Sequence, residues 1–474
     1  MKQSSVVRVD LGAGGPTPSA SPSTDVDVVI VGAGAAGIGA ARTLLSYGRS
    51  VVVLEAQGYA GGRACSDNTT FSEIPFDLGA QLFQQVLAGN VLYQTALARG
   101  NAVADMTAFP TAFFFGKRPP SDPEVQIAAA EMVSTTAAML TALIAAGASI
   151  LTPAQDVAVS TVTDAFENDP YYANAISLNV ESITGAPPSE SSLLDLFAFL
   201  SVSPAPFVIP GDSYFIKGGM GNFIAGLADG LPLQLNTPVQ RIAYDSSGVT
   251  VHTKSAAYRA KAVIVTASTA VLAADGIDFA PLLPAPVREA IAAIPLGHIY
   301  KAALGFKSDI FAQLKTVTEF NTMTLTTPLG GPPGPTYFAK FWDTNVVEFL
   351  ADADLAVTLE GMTATGQRDY LLGQLELNGI PASSAFDGRM TASSWGTNQY
   401  TQGAYSHANI GSVDARTALR AGVRGQIFFA GESFTLGGLH SSLHGAYTSG
   451  ISAANAALRA LGVAAEHGVS AAAD

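Results

Sequence analysis

The chain has a single cysteine, Cys65, in 474 residues, so no internal disulfide can staple it. Nothing beside Cys65 signals a lowered thiol pKa, and it reads as a small core side chain. Charge is also scarce. Only 13% of residues are Asp, Glu, Lys or Arg, and 38 acids against 24 bases leave a formal net charge of −14. No basic cluster offsets this, which argues against nucleic-acid binding. No run approaches the ~18 consecutive apolar residues of a membrane-spanning helix. Residues 1–24 are rich in Ser, Pro and Gly and lack an apolar h-region, so they read as a disordered leader rather than a secretory signal. Residues 463–474 read as a small, polar tail. A soluble cytoplasmic protein without a metal site is the expectation. Apolar residues make up 48% of the chain, and its length exceeds one ordinary core, so two domains are expected.

The densest local pattern is Asp27-Val-Val-Ile-Val-Gly-Ala-Gly-Ala-Ala-Gly37, followed by Val51-Val-Val-Leu-Glu55. An apolar run enters Gly32-x-Gly34-x-x-Gly37, a small-residue helical pattern follows, and a second apolar run ends on an acid 18 residues after Gly37. Strand, tight turn, helix, strand and acid make a dinucleotide-binding unit. Gly32 permits the turn, Gly34 lets the backbone approach a pyrophosphate, and Gly37 lets helix and strand pack closely. The helix N-terminus offers free N–H groups to phosphate, and Glu55 is placed for ribose hydroxyls.

Gly61-Gly62-Arg63 and Asp77-Leu-Gly79-Ala80 follow directly. A glycine pair can wrap backbone around a cofactor, and Arg63 adds a fork of donors. A nicotinamide enzyme does not need this second loop; a larger, permanently held flavin does.

With these residues the chain resembles the flavin amine oxidase family of monoamine oxidases, polyamine oxidases and flavin-dependent lysine demethylases, from about residue 26 to 461. A middle stretch is also similar: Ile216-Lys-Gly218-Gly219-Met220, Leu235-Asn-Thr-Pro-Val239 and Val263-Ile-Val-Thr266. So is a last one, Phe428-Phe-Ala-Gly431-Glu432 and His444-Gly445-Ala446-Tyr-Thr-Ser449-Gly450. The resemblance implies an α/β, two-domain flavin amine oxidase fold: a Rossmann-type FAD-binding domain with an interleaved α+β substrate domain. It places the FAD domain at 25–88, 212–272 and 395–462, and the substrate domain at 89–211 and 273–394. It implies FAD contacts from Gly32, Gly34, Gly37, Glu55, Gly62, Arg63, Gly79, Ala80, Gln81, Val239, Thr266, Gly431, Glu432 and Ala446, with Glu432 near the ribityl chain and dispensable for folding.

Between these stretches the pattern is largely helical. Asp122 and Pro123 fit an N-cap and first helical position, and Ala129, Met132, Ala137, Leu140 and Leu143 recur at roughly helical spacing. Residues 192–199 form another apolar helical piece between Pro187-Pro188 and Pro204-Ala-Pro206. Residues 327–335 are a loop by composition.

Lys301 sits inside an apolar, strand-like run, Ile299-Tyr-Lys301-Ala-Ala-Leu-Gly-Phe306. Most lysines in such a place snorkel to the surface; the resemblance instead makes it the lysine that holds a water against flavin N5. In Trp395-Gly-Thr-Asn-Gln-Tyr-Thr-Gln-Gly403-Ala404-Tyr405, monoamine oxidases carry the flavin-linking cysteine where Ala404 stands, so FAD is expected without a covalent bond. Trp395 joins Lys301 and Tyr405 as a catalytic candidate, Tyr405 matching one wall of the family's aromatic cage. The opposite wall falls on Ser442, with Leu439 and His440 nearby; that sandwich is incomplete.

The expected function is hydride transfer from the carbon beside an amine nitrogen to FAD, giving an imine and hydrogen peroxide. The partners are a small-molecule amine and molecular oxygen or an electron carrier, with a homodimer left open. An L-amino acid oxidase stays open, although Ala64-Cys-Ser-Asp-Asn68 lacks that branch's carboxylate-gripping arginine. A flavin desaturase and a non-catalytic flavoprotein stay open as well.

Overall fold

The computed structural model describes residues 24–106, 111–115, 117–118, 121–202, 211–312, 321–326 and 334–464. Most of the expected leader and tail, the 204–206 prolines and nearly all of the 327–335 loop lie outside them.

The first strand, Thr24–Val31, runs parallel to Val51–Leu54 on one side and Ala257–Val265 on the other. This is the centre of an eight-stranded sheet. Its residues alternate between two cores: Val29 and Val31 join one apolar cluster, Val28 and Ile30 the other. Both faces are covered, so the run reads as continuously apolar in sequence. Ile427–Phe429 adds a parallel strand beside Ala257–Val265. The sheet also takes in Asp278–Ala280, which pairs with Val239–Asp245. It therefore extends past the boundary expected at 272, because that short strand supplies the parallel edge partner. Helices Ala35–Ser46 and Leu443–Ala460 pack together over one face, and small residues let them approach: a Cβ on Gly450 would meet the Ala36 carbonyl oxygen at 1.9 Å.

A second, six-stranded sheet orders Phe386–Ala392, Ile299–Phe306, Val346–Asp352, Thr336–Ala339, Asn321–Thr326 and Thr111–Phe115. One face, with Tyr300, Ala302, Leu304, Val347 and Phe349, packs on Leu359, Leu371 and Leu375 of two following helices. Strand alternation puts Lys301, Ala303, Glu348, Leu350 and Asp352 on the other face.

The helical part is led by Pro123–Ala148, whose N-cap Asp122 accepts a hydrogen bond from the Glu124 amide. Its buried stripe is Val125, Ala129, Met132, Thr135, Met139, Leu143 and Gly147. Ala137 is exposed and Leu140 half-buried, against the sequence expectation: the five-residue step from Met132 to Ala137 turns the side chain off the packed face. By length and mean hydropathy (1.6) this helix could cross a membrane, although no unbroken apolar run marks it. Its stripe packs instead on helix Leu193–Val202, through contacts such as Met139 and Leu143 with Leu196 and Phe199. The latter helix is the expected apolar piece at 192–199, begun by Ser192, whose hydroxyl accepts from the Asp195 amide.

Candidate functional site

The parallel strands of the large sheet deliver their carboxyl ends to one edge, the place where open α/β sheets bind ligands. Val31 leads into Gly32, Leu54 into Glu55, Val265 into Thr266 and Phe429 into Gly431. At Gly32 φ is +100°, and a Cβ there would strike the Thr266 hydroxyl at 2.4 Å. A Cβ on Gly37 would meet the Gly32 carbonyl oxygen at 1.9 Å. These two glycines are required by the protein's own packing. Gly34 is different: a Cβ would make only 3.9 Å contacts, with Gly61 and Gly62, and its φ of −72° suits any residue. Helix Ala35–Ser46 begins with no side-chain cap and no acid in its first turn. The bare glycine and the uncapped amides fit a diphosphate laid across the helix N-terminus.

Gly34→Ala and Gly37→Ala should therefore behave oppositely. The first is expected to leave cofactor-free stability within about 0.5 kcal/mol of wild type while weakening the dinucleotide at least about tenfold. The second should cost about 1–3 kcal/mol or more through overpacking. Thermal melts with and without cofactor measure both, and equal melting of the two cofactor-free variants would refute the distinction.

Glu55 is buried; its Oε2 accepts from the Ala33 amide at 2.7 Å and its Oε1 from the Gln57 amide at 2.8 Å. Burial raises its pKa despite those two bonds. The 235–239 stretch, with Val239, is tied beside it, the Thr237 amide donating to the Glu55 carbonyl at 2.7 Å. Gly62 packs on Gly34, a Cβ there meeting Gly34 Cα at 3.2 Å. Gly79 packs on Arg63, whose carbonyl also accepts from the Ala80 amide. Arg63 reaches the third stretch, donating to the Ala404 carbonyl and, at 3.0 Å, to Glu432. Ala446 lies in the first turn of helix Leu443–Ala460, and the Ser449 hydroxyl accepts from the Gly431 amide.

Lys301 does not snorkel. It is 3% exposed, and its ammonium donates to the Asp77 carbonyl at 2.6 Å, the Gly79 carbonyl at 3.2 Å and Gln81 Oε1. It also pairs with Glu348 Oε1 at 3.1 Å. The six-stranded sheet is thereby pinned to the 77–81 loop. Asp77 itself accepts from the Met220 and Gly221 amides, so the middle stretch joins the same knot. Glu348 was missed in the sequence, although an acid inside Val346-Val-Glu348-Phe is as conspicuous as the lysine inside its own run. Burial raises the Glu348 pKa, against the pull of Lys301.

Trp395 is buried against Gly79, and its indole N–H donates to the Leu78 carbonyl at 2.8 Å. The Tyr405 hydroxyl donates to the Ser182 carbonyl, and burial pushes its pKa far up, with the charges of Asp352 and Glu432 adding to the shift. Gly297 donates to the Tyr405 carbonyl, which sets Tyr405 beside the start of the Lys301 strand. Ser442 is the N-cap of Leu443–Ala460, accepting from the Gly445 amide and donating to the Leu439 carbonyl. His440 is buried with its Nε2 3.6 Å from Asp195, against Phe199. Burial lowers its pKa to about 4, so it is neutral. Asp195 is gripped on both oxygens by Arg416.

A profile of flavin containing amine oxidoreductases matches residues 147–458, and one of NAD(P)-binding Rossmann-like domains matches residues 30–95. Lysine-specific histone demethylase 1 homolog 1 of Oryza sativa subsp. japonica is 29% identical over 87% of this chain and 50% of its own length. Polyamine oxidase 4 of the same rice is 30% identical over 52% of this chain and 50% of its own. The chain spans about half the length of these relatives. Cyclohexylamine oxidase from Brevibacterium oxydans IH-35A shares the fold, with a TM-score of 0.74 at 22% identity over 92% of this chain and 100% of the other.

Proposed function

The chain belongs to the flavin-containing amine oxidoreductase family, with FAD as its cofactor, and we propose that it oxidises an amine at the carbon next to nitrogen. The amine loses two electrons and two protons to become an imine. Water converts the imine to a carbonyl compound and a smaller amine or ammonia, and oxygen takes up the electrons as hydrogen peroxide. The supporting observation is the buried Lys301, held on the six-stranded sheet by three acceptors of the 77–81 loop and by Glu348.

FAD supplies the two-electron acceptor. Around it, Gly34 and the first-helix amides would take the diphosphate, Glu55 the ribose, and Thr266, Gly431 and Ala446 the approach to the ring. Lys301 would hold a fixed positive charge beside the ring and stabilise the negative charge that the bound cofactor would gain on reduction. Tyr405 and Trp395 are each locked by a backbone hydrogen bond, so they can orient the amine without rearranging. Desolvation of the amine on binding would favour its neutral form, the one that can be oxidised. Anaerobic bleaching of the yellow enzyme by an amine panel, with peroxide appearing once air is admitted, tests this reading. Bleaching by no amine would sink it.

Ala404 at the linking position makes the cofactor separable. Acid precipitation is expected to leave a yellow supernatant; a yellow pellet under a colourless supernatant would show a covalent bond elsewhere.

A further inference from the structure

Trp395 is held at its backbone as well as at its ring. The indole donates to the Leu78 carbonyl, whose neighbours Asp77 and Gly79 give their own carbonyls to the Lys301 ammonium. At the backbone stands Glu360, whose two carboxylate oxygens accept from the Gly396 amide at 3.3 and 3.1 Å. The amides of Trp395 and Thr397 also stabilise that charge. The contact is close. A Cβ on Gly396 would meet Glu360 Oε2 at 2.5 Å and His298 Nδ1 at 3.0 Å, so carboxylate and imidazole close on the turn together.

The helix itself gains nothing from Glu360. It is the last residue of Ala353–Glu360, where a carboxylate meets the negative end of the helix dipole. Burial raises its pKa, against the pull of the Gly396 amide and of His298. An acid disfavoured by its own helix and by burial is favoured by the turn it grips.

The grip is built on the sheet that carries Lys301. His298 precedes the strand Ile299–Phe306, and its carbonyl accepts from the Ala353 amide, which starts the Glu360 helix. Trp395 follows the strand Phe386–Ala392, and Ser393 between them exchanges hydrogen bonds with the Lys301 backbone. Gly297, next to His298, donates to the Tyr405 carbonyl and accepts from the Ala404 amide. One short frame, residues 297–298 with the Glu360 helix, therefore fixes the backbone of both Trp395 and Tyr405.

We propose that Glu360, with His298 against the same glycine, is a positioning residue: it holds the 395–397 turn so that the Trp395 ring keeps its place beside the 77–81 loop and can orient the amine. The inference rests on the amine-oxidase reading and deepens it. Glu360 acts through the backbone of Trp395.

The chain has two tryptophans, so Trp342→Phe leaves Trp395 as the one indole whose fluorescence reports on the turn. In that background the FAD-loaded protein is compared with its Glu360→Gln and Gly396→Ala variants. The glutamine puts an amide N–H₂ where an oxygen accepted, and the added methyl displaces the ends of two flexible side chains. Both sites are only half-buried, so each change loosens the contact rather than the core. Acrylamide should quench Trp395 more readily in both variants than in the parent. The limiting rate of anaerobic bleaching by an amine should fall about ten- to a hundredfold at unchanged amine affinity, the mark of lost orientation. Quenching at the parent's level in both variants would overturn the proposal. So would bleaching within about twofold of the parent, which makes Glu360 a structural fastening alone. If Glu360→Gln fails to fold, Gly396→Ala carries both measurements. Bleaching of the parent by no amine removes the oxidase reading, and quenching then decides alone whether Glu360 sets Trp395.

Discussion

Lys301→Met is expected to slow reaction of the reduced enzyme with oxygen about a hundred- to a thousandfold, the usual cost of removing a preorganised charge at a reacting centre. The structure adds a complication and a way round it. The ammonium serves three acceptors of the 77–81 loop and Glu348, so its loss also leaves an acid buried alone, which costs about 3–5 kcal/mol. Burial already raises the Glu348 pKa while Lys301 pulls it down; without the lysine it rises further. A raised carboxyl keeps its proton in the folded state after the unfolded chain has released it, so stability falls as pH rises. The Lys301→Met variant should therefore approach wild-type stability near pH 5 and fall behind it towards pH 8. Adding Glu348→Gln should restore most of the stability and none of the rate. Stopped-flow mixing with oxygenated buffer, alongside melts across that pH range, reads both. Reoxidation within about twofold of wild type would make Lys301 a structural clamp between sheet and loop, with no part in the chemistry. A double variant that recovers the rate would assign the whole defect to the stranded acid.

How much of this was legible in the chain follows from how local each signal is. The glycine triplet, Glu55 and Arg63 lie within 32 residues, and each answers to backbone geometry set by its immediate neighbours. Lys301 was legible as an anomaly inside an apolar run; its burial was not, because four acceptors from other segments decide it. Glu348 and Asp352 owe their places to strand register. Val346–Asp352 pairs antiparallel with Ile299–Phe306 so that Glu348 stands opposite Ala303 and Asp352 opposite Ile299, and a sequence does not print its register. The cue available was two opposite charges, each interrupting an apolar run. Ser442 was reached by counting from a family position, when its own place, a serine just before a helix, already read as a cap. Asp195 and Arg416 are 221 residues apart, and neither carries a local mark of the ion pair.

Glu432 shows the same limit with a larger consequence. Its resemblance to a ribityl-side contact suggested that Glu432→Ala would loosen FAD and leave folding intact. In the structure its carboxylate accepts from Arg63 at 3.0 Å, the Ser406 hydroxyl at 2.7 Å, the Ser441 amide at 3.1 Å and the Ser433 hydroxyl at 3.0 Å. The Ser406 hydroxyl in turn accepts from Arg416, which holds Asp195 of the helical part. Glu432 is thus the acid that ties Arg63 of the first cofactor stretch to the last one. Glu432→Ala is expected to cost about 3–5 kcal/mol, because Arg63 and several donors lose a buried acceptor, and FAD retention should fall with it. Glu432→Gln keeps the shape and should cost about 1.5–3 kcal/mol, the worth of charged hydrogen bonds. Burial pushes the Glu432 carboxyl up, but Arg63 and Ser406 more than reverse it, and its pKa ends below the ordinary value. A lowered carboxyl contributes stability above about pH 4.5, and that contribution disappears as pH falls through the folded-state pKa. The gap between wild type and Glu432→Gln should therefore be full at pH 7 and close in more acid solution. Denaturant melts of the cofactor-free proteins at the two pH values measure it. A cofactor-free Glu432→Ala protein as stable as wild type at pH 7 would return Glu432 to the role of a cofactor contact alone.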